Sequence, residues 1–107
     1  MSAYFIGNFK VTNPEGFTEY RSLVCKTLVD RGVECIVADV NSSPMESDPE
    51  NFSVVLKFPD MEALRDWYDS PEYQDILPLR TDNSEGIITF ASLSFHSEWS
   101  FLGALSN

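Results

Sequence analysis

The sequence predicts an α+β fold: a four-stranded antiparallel sheet with two helices on one face, in the order βαββαβ. Three observations lead there. Two strong helix starts, at Asn13-Pro14-Glu15 and at Asp60, each follow a short apolar strand. The helix after the first start is long enough to cross over and return the chain to the same sheet. The strands carry apolar residues on both faces, so helices on one face leave the other needing a cover.

Tyr4 to Val11 reads as the first strand, rich in aromatic and branched residues, with Asn8 and Lys10 as polar members of one face. Thr12-Asn13-Pro14-Glu15 opens the first helix: Asn13 is placed to cap, Pro14 suits the first turn, and Glu15 complements the dipole. Phe17, Tyr20, Leu23, Val24 and Leu28 recur at helical spacing, and Gly32 is the stop signal. Val33 to Val40 is a second strand that ends with Asp39 near its exit. Residues 41–50 form a polar, proline-bearing loop placed to cover the mouth of a pocket.

Phe52 to Phe58 is the third strand, ended by Pro59. Asp60 caps a helix carrying Leu64, Trp67 and Tyr68. Ser70-Pro71-Glu72 repeats the cap, proline and acid pattern, so the helix breaks and restarts there. Pro78 is expected to distort or end the second segment. Arg80 follows Tyr73 by two turns and shares its face. Residues 81–86 read as polar loop and Ile87 to Phe95 as the fourth strand. This element order is the ferredoxin-like arrangement.

The 107 residues make one domain, expected over residues 1–95, with an apolar extension over 96–107 packing on its own or a partner subunit. The net charge of −10, from 17 acids and 7 bases, argues against nucleic acid and against an anionic membrane surface. No apolar run approaches the ~20 residues that span a bilayer, and no leader is visible at Met1-Ser2-Ala3-Tyr4, so a cytoplasmic location is expected. Cys25 and Cys35 have neither metal-ligand nor disulfide spacing and read as buried small hydrophobes. His96, the single histidine, reads as a surface or interface residue; no metal and no cofactor are expected.

Tyr4, Ile6, Val11-Thr12, Pro14-Glu15, Tyr20, Phe58-Pro59, Ala63, the run from Trp67 to Tyr73, and Leu79-Arg80 together resemble the domain-of-unknown-function family numbered 1330. That family lies within the dimeric α+β barrel superfamily. The resemblance implies a ferredoxin-like subunit paired sheet to sheet as a homodimer, which agrees with the two-sided strands. It implies little chemistry. Two arginines usual in the family, one in the second strand and one opening the third, have no counterpart in Ile36–Val40 or at Asn51.

A pocket in such a fold lies between sheet and helices. Tyr73, Arg80 and Asp39 are the candidates for chemistry; Asn8, Tyr20, Tyr68 and Glu46 are the candidates for holding a ligand. A tyrosine donates a hydrogen bond to a developing enolate, and an arginine grips a carboxylate. Asp39 or Glu46 could take a proton if buried. Asn8 and Asp39 have plain structural readings as well, a strand amide and a solvated strand end. These residues point to a small, apolar, oxygenated ligand, bound or turned over by cofactor-free acid–base chemistry of isomerase or monooxygenase type. The alternative is a non-catalytic dimeric accessory protein.

Overall fold

The computed structural model describes residues 1–93. Seven elements follow the chain: β1 (Ala3–Val11), α1 (Pro14–Leu28), β2 (Glu34–Asp39), β3 (Phe52–Phe58), α2 (Met61–Tyr68), α3 (Pro71–Thr81) and β4 (Ser84–Ser92). The sheet order is β2-β3-β1-β4, with every neighbouring pair antiparallel. The expected βαββαβ order holds, with the second helix split in two. The expectations for His96 and the extension over 96–107 lie outside the described residues.

Alternation along β1 divides its side chains between two environments. Ala3, Phe5 and Phe9 are buried on the helix side, while Tyr4, Ile6, Asn8 and Lys10 take the other side. Phe5, Phe58 and Trp67 form the middle of the core. The Phe5 and Trp67 rings meet edge-on at 5.6 Å, and those of Phe58 and Trp67 lie 5.4 Å apart. Trp67 is fully buried, and its indole nitrogen donates to Thr27 Oγ1 at 2.8 Å, tying α2 to α1.

Several local expectations are corrected. Asn13 makes no side-chain cap; its amide instead donates to Asn83 Oδ1 at 3.0 Å. The backbone amides of Thr12 and Asn13 both bond the Asn83 carbonyl, which joins the start of α1 to the start of β4. That junction draws β4 back to Ser84, into a stretch expected to be loop, and leaves no room for a side chain at Gly16. Helix α1 ends at Leu28, before Gly32, and the chain then turns through left-handed Asp30 (φ 63°) and Gly32 (φ 68°). Pro78 does not end α3, which continues to Thr81. The turn beyond it is held by the Asp82 amide on the Pro78 carbonyl (2.8 Å) and by side-chain bonds from Asn83 and Ser84 to the carbonyls of Leu79 and Arg80. Only the bond that Pro78 itself would have donated is lost.

The restart between α2 and α3 forms as expected. Asp60 Oδ1 accepts from the Ala63 amide at 2.8 Å, and Ser70 Oγ accepts from the Tyr73 amide at 3.3 Å. The second cap brings Tyr73 and Arg80 down onto α1. Arg31 holds the same junction from outside: its Nε donates to the Thr27 carbonyl and its Nη2 pairs with Glu72 at 3.1 Å.

Candidate functional site

The inner cavity lies between α1 and the helix-facing side of β1, β2 and β3. It has a volume of about 270 Å³. Its wall is mostly apolar, including Phe5, Phe9, Val24, Leu28 and Leu56. Such a chamber favours an apolar guest, and the few polar groups on its wall decide how that guest sits. The polar groups are Tyr20 and Arg80, with Arg21, Cys25 and Cys35.

Tyr20 and Arg80 belong to one buried network. The hydroxyls of Tyr20 (α1) and Tyr73 (α3) are 2.8 Å apart, and Arg80 Nε donates to the Tyr73 oxygen at 3.3 Å. An arginine only donates, so the Tyr73 oxygen is the acceptor in that contact. When Tyr73 donates its hydrogen bond to the Tyr20 oxygen, the Tyr20 hydroxyl hydrogen is left for the cavity. Burial, then Tyr73, pushes the Tyr20 hydroxyl well above the usual phenol range, although Arg80 pulls the other way. Tyr20 is therefore a neutral donor. For Arg80, burial opposes the charge, but Tyr73, then Tyr20 and Tyr68, more than offset that and hold its pKa above the usual value.

Arg80 is only 9% exposed, yet it has no carboxylate partner among the described residues; the ion pair found there is Arg31–Glu72. A buried cation normally carries a counter-charge. Arg80 has instead a ring of phenols behind it and an apolar cavity in front. Its remaining guanidinium hydrogens and the Tyr20 hydroxyl can hold an oxygen that carries, or develops, negative charge.

The other expected site residues fall in different places. Tyr73 is fully buried behind Tyr20 and does not line the cavity. Tyr68 packs tilted against Tyr73 (5.3 Å) and meets Phe90 edge-on (5.2 Å), beside the network and outside the wall. Asn8, Asp39 and Glu46 are not brought together with Tyr20 and Arg80. Asn8 turns to the open face of the sheet. Its amide nitrogen donates to the Glu50 carbonyl at 2.8 Å and its oxygen accepts from the Glu50 amide at 2.9 Å, pinning the loop before β3. Asp39 is opposite Ser53 on that same face, and its carboxylate caps the Asn41 amide at 2.8 Å. Glu46 is in a shallow depression beside Asn8 and Ile87.

Among the described residues no carboxylate or imidazole lines the inner cavity, so the expected proton acceptors stand outside it. Cys25 and Cys35 are exposed rather than buried, and both border the cavity. Cys35 faces inward because β2 bulges between Cys35 and Val37, which resets its alternation. Arg21 was not among the expected site residues. Its signal was its place on α1, four residues after Phe17 and three before Val24, on the apolar stripe.

Three solved structures place the fold among known proteins. A DABB family protein with a ferredoxin-like fold from Mesorhizobium loti superposes with a TM-score of 0.65 at 12% identity, covering 88% of this chain and 98% of that one. A dimeric ferredoxin-like protein of unknown function from Thermobifida fusca gives 0.62 at 15%, covering 87% and 92%. SnoaB, a cofactor-independent oxygenase from Streptomyces nogalater, gives 0.58 at 15%, covering 89% and 95%. At these identities the likeness is one of fold. No curated protein matches the chain. The model of the domain of unknown function DUF1330 matches residues 2–92.

Proposed function

The chain belongs to the DUF1330 family, and from that premise we propose that its inner cavity binds a small, largely apolar molecule through one carbonyl or carboxylate oxygen. The observation that carries this reading is Arg80: a buried cation without a carboxylate partner among the described residues, on the wall of an apolar cavity. Arg80 and Tyr20 hold the ligand's oxygen; Tyr73 sets the positions of both. A donor pair of this kind also stabilises an enolate, so an enolisable ketone is a ligand that the site could turn over without a cofactor. The fold shared with a cofactor-independent oxygenase is consistent with that extension.

The same reading makes the protein a homodimer joined through the open face of the sheet. Ile6, Val37 and Ile87 are exposed there, with Val55 between them in register. One of the solved structures with this fold is a dimeric protein. A second copy is the simplest cover for such a face.

Binding of aryl ketones, followed by calorimetry, tests the cavity assignment. Wild type is expected to bind them, and Arg80→Met and Tyr20→Phe each to weaken binding by about tenfold while the near-ultraviolet circular dichroism stays native. Unchanged affinity in Arg80→Met would remove Arg80 from the site.

A further inference from the structure

A second, wider cavity of about 670 Å³ opens beside the inner one, under the start of α1 and against the loop that leads into β3. The two cavities share Phe17, Arg21 and Phe52 on their walls, so they are neighbouring compartments divided by these side chains. Phe17 and Phe52 meet edge-on at 5.5 Å, and the Arg21 guanidinium carbon lies 5.9 Å from the centre of the Phe52 ring. The partition is therefore built from side-chain ends on α1 and β3, with a cation on it.

The charge of the outer compartment runs against that of the chain. Lys10 and Arg21 line it against a single carboxylate, Glu50, in a protein of net charge −10. Neither cation pairs with Glu50 or with any other carboxylate among the described residues. The backbone of Glu50 is fixed from the far side of the sheet by both ends of the Asn8 amide, which holds the loop wall in place.

We propose that the two compartments hold one elongated ligand, a keto acid, with its ketone oxygen on Arg80 and Tyr20 and its carboxylate on Arg21. The apolar body of the ligand passes alongside the Phe17–Phe52 pair, past Arg21, which lines both compartments. Arg21 thereby becomes the residue that selects an acid over the corresponding neutral ketone. This assignment rests on the reading of the inner cavity given above.

The test compares phenyl keto acids of increasing chain length, from benzoylpropionate upward, with phenyl alkyl ketones of the same length that lack the carboxylate. In wild type the acid of matching length is expected to bind about tenfold tighter than its ketone, as a charge-assisted contact in a partly open site provides. Arg21→Met should abolish that preference, so that acid and ketone of the same length bind alike. Arg21→Lys should restore most of it, and Arg80→Met should weaken acid and ketone alike. Ketones that bind while acids bind no tighter would overturn this proposal alone. So would a preference that survives in Arg21→Met. A preference that disappears in Arg80→Met with ketone binding intact would overturn both this proposal and the placing of the ketone on Arg80, since the acid's carboxylate would then sit there. Failure of every ketone and every acid to bind would overturn the inner-cavity reading and this one with it.

Discussion

The two faces of β1 are held by different physics. On the helix side, Phe5 and Phe9 are 3% and 4% exposed and pack among aromatic rings. On the other side, Ile6 is 39% exposed, and the ordered contact is polar: Asn8 bonds three residues of the loop and of β3. One face is finished within the subunit. The other carries an apolar surface to be covered and an amide that organises a loop. The proposed ligand site is on the finished face, where aromatic packing surrounds Tyr73.

The sharpest way to probe this contrast is to cut into each face in turn. Trp67→Ala is expected to cost about 3–5 kcal/mol in denaturant unfolding, because a large ring is removed from among Phe5, Phe58 and Tyr73. Ile6→Asp should leave the near-ultraviolet aromatic signal intact and shift sedimentation to that of a monomer. An Ile6→Asp protein that stays dimeric would break the assignment of the open face.

A smaller effect is expected at Asn8. Asn8→Ala should cost about 0.5–1.5 kcal/mol, the net worth of a hydrogen bond whose freed partners on Glu50 are exposed to water. The loss should be local. Hydrogen exchange is expected to speed up at Glu50 while the β1–β4 amides keep their protection, and binding of neutral ketones to the inner cavity should not change.

The last expected effect is read in alkaline solution. Tyr20 is raised in the fold above its value of about 10 in the unfolded chain. A raised group supports the fold fully below the unfolded value and loses that support as pH rises past it. Stability should thus fall by about 1.4 kcal/mol for each pH unit above about 10, as far as the folded value allows. Tyr20→Phe should remove that slope; an equal slope in the variant would place its origin elsewhere.

Much of this molecule was legible before its shape was known. The break at Ser70-Pro71 and the pairing of Tyr73 with Arg80 follow from local capping and helical spacing, which depend on neighbours in sequence. Asn8 and Asp39 were harder because their side is set by strand register. Phe5 and Phe9 share a face, so Asn8 must lie on the other, and that much could have been read from alternation. Asp39 could not be placed this way: β2 contains a bulge, and alternation does not carry across it. Pro78 misled because the helix beyond it is held by bonds to and from Asp82, Asn83 and Ser84, which lie past the helix end. The outer compartment was hidden for a similar reason, since its walls come from β1, α1 and a loop that meet only in the folded chain.

The bulge in β2 has one more consequence, and it concerns chain length. Cys35 pairs with Leu56 and Val37 with Val55, so Ile36 is the extra residue. Cys35 and Ala38 both line the inner cavity although they are three residues apart, a spacing that unbroken alternation would put on opposite faces; the extra residue absorbs the difference. Removing Ile36 would restore unbroken pairing without exchanging the facings of Val37, Ala38 and Asp39, whose partners on β3 stay the same. A relative shorter by one residue in this strand can therefore keep the same cavity wall. Gaps placed at Ile36 in an alignment should be read as a change in strand curvature and not as a change of site.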